Sequence, residues 1–284
     1  MKKILKDKLK RKQKYNIITA LKDSSYTVGY LGDGVNDVGA LQVADVGISV
    51  DSGTDVAKDS SDIILLKKNL SILIDIIVEG RKTFSNTIKF IINTMSSSYG
   101  NVLTLGASSL FLKFMPLLPT QILLIDSVSD VQHLTVSTDN VDKELLSRPR
   151  SWDMKFLLRF MLFFGAISIV FDFVLISILM ISRVSPEIFR SVWFIESILT
   201  EVLATFSVRT KKAFFKSAPS IPVLITSVLS ICIALIIPYT IIGKDIFGFT
   251  SVNIQSLSMV LGIVIMYFIA LEVAKRFFYE KFDS

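Results

Sequence analysis

The sequence has little of what builds disulfide scaffolds or metal sites of cysteine and histidine. Its 284 residues include one cysteine and one histidine. Because Cys232 lies alone inside an apolar run, a disulfide framework and a cysteine-rich metal site are both excluded within this sequence. His133 has no second histidine with which to share a metal, so we interpret it as a residue of a helix interface.

The polar composition of soluble domains is also lacking. Hydrophobic residues account for 51% of the sequence and the mean hydropathy is +0.57, which is too apolar for an ordinary soluble domain of this length. The net charge of +6 does not indicate a nucleic-acid partner, because the basic residues cluster at the N-terminus and in short connectors between apolar segments. We therefore predict a protein that spans a lipid bilayer and binds no nucleic acid.

The first residues do not show the pattern of a signal peptide, so we expect none. No apolar stretch near the start is long enough to serve as the central region of one, and the same segment is strongly basic. Both features predict a cytosolic N-terminus. The basic residues are Lys2, Lys3, Lys6, Lys8, Lys10, Arg11, Lys12 and Lys14.

Residues 1–68 differ in pattern from the rest of the chain. The segment "KYNIITALKD" has an amphipathic helical period, and "YTVGYL", "DVGISV" and "SDIILL" are short β-rich runs. This alternation predicts an α/β fold. Residues 69–86 keep a helical apolar period interrupted only by Gly80, which predicts a stalk helix that continues into the membrane.

Six segments are candidates for membrane helices, each of which needs about 20 mostly apolar residues. The second candidate is marginal because it is short and interrupted by polar groups. The candidates are about 87–111, 120–137, 156–182, 192–208, 221–242 and 256–274.

The connectors between these segments differ in basic charge. Those at 139–155 and 209–217, and the C-terminal tail, are rich in Lys and Arg, whereas those at 112–119, 183–191 and 243–255 are poor. Because cytosolic connectors carry the excess of basic residues, the alternation predicts that both termini are cytosolic.

The stretch "YLGDGVNDVGAL" is crowded with glycine and acid. Gly32 and Gly34 permit positive φ and close backbone approach, and Asp33 follows the carboxyl end of a strand, where open α/β sheets place ligands. The carboxylate of Asp33 suits Mg²⁺, and a helix start with Asn36 and Asp37 suits a phosphoryl group. Taken alone, however, these residues indicate no more than a strand-to-helix turn.

A longer pattern resembles a known family. "GDGVND", an alanine-leucine pair, "ADVGISV" and "DSSDIILL" are similar to the end of the phosphorylation domain of P-type ATPases, and the six apolar segments match the last six membrane helices of that family. "SSSYGNV", "STDNVD", "RPRSWD", "RFMLFFGAISIVFD" and "WFIESILTEVLATFSVRTKK" resemble the magnesium-transporting class more than the calcium or sodium pumps. The resemblance implies a plasma (inner) membrane location and the use of ATP and Mg²⁺.

The resemblance implies roles for the residues of the glycine-rich loop. Asp33 matches the aspartate that binds the catalytic Mg²⁺, and Gly32 and Gly34 flank it in the cofactor site. Asn36 and Asp37 match the pair that supports the phosphorylation loop, with Asp37 as a further ligand of the catalytic Mg²⁺.

The family also has a lysine that reaches the phosphoryl group. "RKQK" offers Lys14 for this role, although Arg11 stands where the family has proline. Gly39 likewise replaces a usual proline after the Asn-Asp pair, a change that loosens the expected helix start.

Polar residues inside the apolar segments are the candidate ligands of the transported cation. A charged residue at the bilayer centre costs about 2.5–3.5 kcal/mol on insertion scales, so intramembrane acids are expected to be functional. Asp126 and Asp130, four residues apart, share a helix face, as do Ser98 and Asn101. By resemblance these four residues bind the cation. The alternative is buried pairing of the two aspartates with a neighbouring helix.

Two of these residues depart from the family pattern, since Ser98 and Asp126 occupy positions where asparagine is common. The added carboxylate favours a hard divalent ion, and Mg²⁺ would keep some of its waters. Ca²⁺ and H⁺ are the alternative cations. Asp172, Glu196 and Glu201 lie in later segments, and either an auxiliary polar path or hydrogen bonding between helices accounts for them.

Several parts of a P-type pump have no counterpart in this sequence. There is no "DKTGT" phosphorylation string, no "TGE" loop and no nucleotide-binding domain, and the missing aspartate is the nucleophile. We expect a chain that is inactive alone and works with a complementary N-terminal half. An inactive remnant, a regulatory membrane subunit and a passive channel are the alternatives.

The predicted fold class is a mostly α membrane protein with a partial α/β, haloacid-dehalogenase-like phosphorylation domain followed by six transmembrane helices. The predicted parts are the phosphorylation domain (1–68), a stalk (69–86), a helix pair with part of the cation site (87–138), a cytosolic loop (139–155), a four-helix support domain (156–274) and a cytosolic tail (275–284).

Overall fold

The computed structural model describes residues 10–67, 69, 71–147 and 149–282. The predicted cytosolic charges of Lys2, Lys3, Lys6 and Lys8 lie outside the described residues, as does Arg148. The chain divides into two compact units, Met1–Ile76 and Ile77–Ser284. Each unit is described by itself.

The first unit alternates helices and strands. Each of its three strands lies within one of the three segments predicted to be β-rich, although the strands are shorter than those segments. The elements are α1 (Arg11–Asp23), β1 (Gly29–Leu31), a 3-10 turn (Val35–Asp37), α2 (Val38–Val43), β2 (Val46–Val50), α3 (Asp55–Asp59) and β3 (Ile63–Leu65).

The strands form one parallel sheet in the order β1-β2-β3. Gly29 pairs with Val46, and Ile48 pairs with Ile63. Parallel neighbours need a crossover connection, which α2 supplies between β1 and β2, and α3 between β2 and β3. All three strands therefore end at the same edge of the sheet, and the loop after β1 begins there.

The first unit has a small hydrophobic core. The buried residues of this core are Ile18 of α1, Ala40 of α2, and Val28, which directly precedes β1. A Cβ on Gly47 would lie 2.8 Å from the backbone oxygen of Leu41, so the close approach of β2 to α2 requires glycine at this position.

Further α-helices follow along the chain, and the predicted helical stretch from residue 69 to 111 is largely one helix, α4. The helices are α4 (Ser71–Ser109), α5 (Pro119–Thr135), α6 (Lys143–Leu146), α7 (Met154–Ile181), α8 (Pro186–Val208), α9 (Ile221–Ile236), α10 (Ile241–Asp245) and α11 (Ile254–Phe282).

Four helices within the described residues are long and apolar enough to cross a membrane: α7, α8, α9 with its 3-10 extension to Tyr239, and α11. They coincide with the last four predicted spans. Helix α8 begins at Pro186, six residues before the start predicted for the fourth span at about residue 192, and Ser185 caps the helix by accepting from the N–H of Ile188 over 3.4 Å.

The first two predicted spans lie in α4 and α5. Helix α5 has 17 residues, fewer than the roughly 20 that a straight crossing needs. The count of six membrane helices therefore remains a prediction.

Helix α8 is the centre of the second unit and packs against α5, α7, α9 and α11. Phe189, Trp193 and Phe194 are almost fully buried along it. Its neighbours surround α8 on most sides, so Glu196 and Glu201 are buried as well. An acid in such a helix cannot reach water and must be stabilised by partners or by a proton.

A buried ionic cluster fixes the loop that follows α5. Asp139 is fully buried and lies 2.8 Å from Lys89 Nζ on α4 and 3.5 Å from the Arg209 guanidinium at the end of α8. The N–H of Ser220 donates to Asp139 over 3.0 Å. One carboxylate therefore joins α4, the loop and the segments on both sides of the α8–α9 connection.

Candidate functional site

The loop after β1 is closely packed around Gly32. A Cβ at this position would lie 2.5 Å from Cβ of Asp37, so only glycine lets the backbone pass beside that side chain. The N–H of Gly32 donates to the backbone oxygen of Ile48 over 2.9 Å, which continues the β1–β2 pairing into the loop. The packing explains the glycine before Asp33 without any need for positive φ.

Asp37 is buried and holds two neighbouring side chains. Lys14 Nζ donates to Asp37 Oδ1 over 2.7 Å, the Tyr30 hydroxyl donates to the same oxygen, and the N–H of Gly34 donates to Oδ2 over 3.3 Å. Burial opposes ionisation of this carboxyl, yet the hydrogen bonds from Lys14 and Tyr30 hold the pKa of Asp37 below its ordinary value. Burial and the bond to Asp37 raise the pKa of Tyr30.

Asp33 and Asn36 are exposed at the same loop. Asp33 comes two residues after the end of β1, and its backbone oxygen accepts from the N–H of Thr54 over 2.9 Å. This contact fixes the loop against the segment before α3 and leaves the Asp33 side chain exposed at the carboxyl edge of the sheet. Lys14, Asp33, Asn36 and Asp37 thus all belong to the first unit, with α1 delivering Lys14 to the loop.

We expect the contacts of Asp37 to be lost in acid. The pKa of Asp37 is lower in the folded chain, so its contribution to stability is present above the unfolded value of about 3.9 and is lost as the pH falls through the folded value. Lys14→Met removes a hydrogen bond that lowers the pKa of Asp37, so the stabilising contribution of Asp37 should be lost at higher pH than in the unmodified chain. Hydrogen exchange of peptides from residues 26–43 of the full chain measures the transition.

The exposed Lys12 on the same helix is the matched control. Lys12→Met should show the acid transition of the unmodified chain. Coincident transitions for Lys14→Met and Lys12→Met would contradict the assignment of the ion pair as the cause.

A separate cavity of about 290 Å³, with both polar and apolar lining residues, lies in the second unit. Ser98 and Asn101 of α4 line it together with Asp126 and Asp130 of α5. The structure therefore brings together all four residues that the sequence predicted as cation ligands. Asp126 and Asp130 are also exposed at the surface of the second unit. Its remaining lining is Val102, Leu105, Leu117, Ile122, Ile125, Trp193 and Ser197.

Asn101 connects the cavity to a buried acid that the sequence did not place in the site. Its side-chain N–H donates to Glu201 Oε1 over 2.6 Å, and the Ser129 hydroxyl donates to the other oxygen of Glu201. Glu201 on α8 thus binds residues of α4 and α5 together. The position of Glu201 inside a predicted membrane helix was the available signal, but its pairing with Asn101, 100 residues away along the chain, had none.

Two other predicted polar residues are buried away from the cavity lining. Asp172 on α7 accepts from the Thr104 hydroxyl over 2.7 Å. His133 on α5 is almost fully buried, and neither ring nitrogen has a hydrogen-bond partner among the described residues. The interpretation of His133 as an interface residue stays a prediction.

Within the described part of the chain, no three His, Cys, Asp or Glu side chains are placed to hold a metal together. A cation in the 290 Å³ cavity would therefore need the amide of Asn101 and the hydroxyl of Ser98 as well as the two carboxylates. Oxygen ligands of this mixed kind suit Mg²⁺ and Ca²⁺.

Comparison with known proteins shows related sequences along most of the chain. The family model described as "Cation transporting ATPase, C-terminus" matches residues 114–277. The protein "Magnesium-transporting ATPase, P-type 1" of Salmonella typhimurium is 38% identical over 278 residues, which is 96% of this chain and 30% of that protein. The protein of the same name in Escherichia coli is 39% identical over 233 residues, 80% of this chain and 26% of that protein.

A calcium-transporting relative matches over a shorter range. The "Calcium-transporting ATPase" of Bacillus subtilis is 34% identical over 137 residues, 48% of this chain and 15% of that protein. The chain spans about a third or less of the length of the relatives it matches.

Proposed function

The chain belongs to the P-type cation-transporting ATPases, and from this premise we propose that it supplies part of a Mg²⁺ transport site and the phosphate-site residues of an ATP-driven pump. The observation that carries the proposal is the joint position of Ser98, Asn101, Asp126 and Asp130 on one cavity of about 290 Å³. Two carboxylates, an amide and a hydroxyl offer hard oxygen ligands, and the volume leaves room for a cation that keeps part of its water shell. The magnesium-transporting relatives support Mg²⁺ as the cation.

Removal of one carboxylate from the cavity should weaken Mg²⁺ binding. Because each carboxylate supplies both a ligand and a negative charge, we expect Asp126→Asn and Asp130→Asn each to raise the dissociation constant for Mg²⁺ at least about tenfold. Loss of a group that only supports a metal ligand already weakens metal affinity by about this factor in other proteins. Titration calorimetry of the full chain in lipid nanodiscs measures the constant.

Asp245→Asn, which removes an exposed acid from α10, is the control and should bind Mg²⁺ as the unmodified chain does. Equal affinity in the chain and in both cavity variants would refute the site. Competition with Ca²⁺ in the same titration tests the cation: preferential displacement of Mg²⁺ by Ca²⁺ would instead favour the activity named in the Bacillus subtilis relative.

In the first unit we assign Asp33 to the catalytic Mg²⁺ and Lys14 to the phosphoryl group. Gly32 and Gly34 flank Asp33 in the cofactor site, and Asn36 lies in the same loop. The proposed fold of this unit is haloacid-dehalogenase-like. Both oxygens of Asp37 already accept hydrogen bonds, which supports a role in positioning Lys14 rather than in binding the metal. ATP itself would be bound mainly by a partner segment.

The proposed setting is the plasma membrane, with six membrane helices, both termini in the cytosol and a complementary pump half as partner. Copurification with an intact pump without any gain in turnover would instead favour a regulatory subunit.

A further inference from the structure

Ser96 lies on the buried face of α4 and is only 9% exposed. Its hydroxyl has no hydrogen-bond partner among the described residues. Other hydroxyls on the same helix donate to a backbone oxygen three or four residues earlier, as those of Thr87, Ser108 and Ser109 do, which is a common way for a helix to satisfy such a group. The Ser96 hydroxyl is not satisfied in this way, and a buried hydroxyl without any partner is costly.

A cavity of about 10 Å³ adjoins Ser96. This volume is at the lower limit for one water molecule, which also needs about two to four polar partners. The cavity therefore has the size and the polar groups that one water requires. Its other polar lining residues are Asn93, Ser97, Ser168 and Tyr267.

Four helices meet at this cavity. Ser96 comes from α4, Ser168 from α7, Ala204 from α8 and Tyr267 from α11. A Cβ on Gly165 of α7 would lie 3.2 Å from the backbone oxygen of Ser96, so α4 and α7 approach closely beside the cavity. A small polar gap between packed helices is the setting in which a buried water is stable, whereas apolar cavities stay dry.

The polar groups around the cavity have capacity for a further hydrogen bond. The side-chain N–H of Asn93 donates to the Thr205 hydroxyl over 2.7 Å, but an amide has a second donor hydrogen and an acceptor oxygen. The hydroxyls of Ser168 and Tyr267 can each both donate and accept. A water in the cavity can therefore bond Ser96 and one or more of these groups.

The lining favours a neutral ligand over a cation. The described residues that line the 10 Å³ cavity include no acid, and a divalent ion needs several oxygen ligands and more room. The cavity is also distinct from the proposed cation site. Ser97 lines the small cavity, whereas the next residue, Ser98, lines the 290 Å³ cavity.

We propose that the 10 Å³ cavity is a binding site for one structural water molecule, which bonds the Ser96 hydroxyl of α4 to polar groups of α7 and α11. A bridging water is nearly as favourable as a direct hydrogen bond, so it satisfies Ser96 without a protein partner. The water links three helices beside the part of α4 that carries Ser98 and Asn101. The site does not depend on the proposed binding of Mg²⁺.

A crystal structure of the full chain, at a resolution that shows ordered water, tests the site directly. We expect a water within about 2.5–3.0 Å of Ser96 Oγ, the usual distance for a hydrogen bond between two oxygens. The same water should lie within hydrogen-bond distance of a polar group from α7 or α11. A dry cavity in such a structure would overturn the proposal.

Ser96→Ala provides a second test, because the direction of its effect depends on the water. With the water in place, the variant loses a hydrogen bond, and the folding equilibrium constant should fall about fivefold. Without the water, the variant removes an unsatisfied buried hydroxyl, which leaves folding unchanged or makes it more favourable. Equilibrium unfolding of the full chain in detergent measures the constant, and an unchanged or larger constant would overturn the proposal.

Ser85 on the same helix is the matched control. It is buried and its hydroxyl also lacks a partner among the described residues, but it lines neither the 10 Å³ nor the 290 Å³ cavity. Ser85→Ala should leave the folding equilibrium constant unchanged or raise it. An equal fall in both variants would show that the cavity is not the cause and would overturn the proposal. Because neither measurement needs Mg²⁺, failure here is distinguishable from failure of the cation site.

Discussion

Asp139→Asn should destabilise the second unit by about 3–5 kcal/mol, the usual cost of removing one partner from a buried ion pair. Asp139 is fully buried and faces two basic groups, Lys89 Nζ at 2.8 Å and the Arg209 guanidinium at 3.5 Å. The amide keeps the shape of the side chain but removes its charge, so both buried cations lose the carboxylate that lies against them and keep only the weaker interaction with Asp142. Equilibrium unfolding of the full chain in detergent measures the difference in the free energy of unfolding.

Two further variants separate this charge effect from general disruption of the loop. Glu144→Gln removes an exposed acid that pairs with Lys212 at 2.9 Å, and we expect a change of no more than about 1 kcal/mol. The double variant Lys89→Met with Asp139→Asn should lose less than the sum of the two single variants, because they share one interaction. A near-neutral Asp139→Asn would show that the cluster is not needed to hold the loop.

The order of elements in the first unit could be predicted because it depends on local pattern. Short β-rich runs separated by a glycine turn and helical segments specified three strands, and right-handed parallel pairing follows once helices separate them. The Asp37 contacts could not be predicted, since they depend on how closely α1 approaches the loop. Tyr30 in particular carries no sequence signal for a hydrogen bond to Asp37.

The grouping of Ser98, Asn101, Asp126 and Asp130 at the 290 Å³ cavity was partly predictable for a similar reason. Spacings of three and four residues place Ser98 with Asn101, and Asp126 with Asp130, on single helix faces, but only the packing of α4 against its neighbours decides whether the two faces meet. The membership of Glu201 and the burial of Glu196 depend on which side of α8 each neighbour covers. Apolar composition predicts that α8 spans the membrane but does not predict which side of α8 each neighbouring helix covers.

Asp33→Asn should abolish most of the ATP hydrolysis of a reassembled pump. We expect coexpression of this chain with the N-terminal part of the Salmonella typhimurium relative, 38% identical over the shared region, to give vanadate-sensitive, Mg²⁺-dependent hydrolysis. Asp33 is exposed at the carboxyl edge of the sheet and is the proposed metal ligand. Its loss should lower turnover by about 10²–10³-fold, as removal of a single preorganised electrostatic group does in other enzymes.

Lys14 and Asp37 should behave as one element in the same assay, because Asp37 is proposed to act by holding Lys14 at 2.7 Å. Lys14→Met and Asp37→Asn should each reduce turnover, and the double variant should be little worse than Lys14→Met alone. Asp23→Asn, at the exposed end of α1, is the control and should retain full hydrolysis. Additive losses would instead show that Asp37 has a separate role, such as the metal ligation first predicted for it. Full activity of Asp33→Asn would refute the assignment of the catalytic Mg²⁺ to this loop.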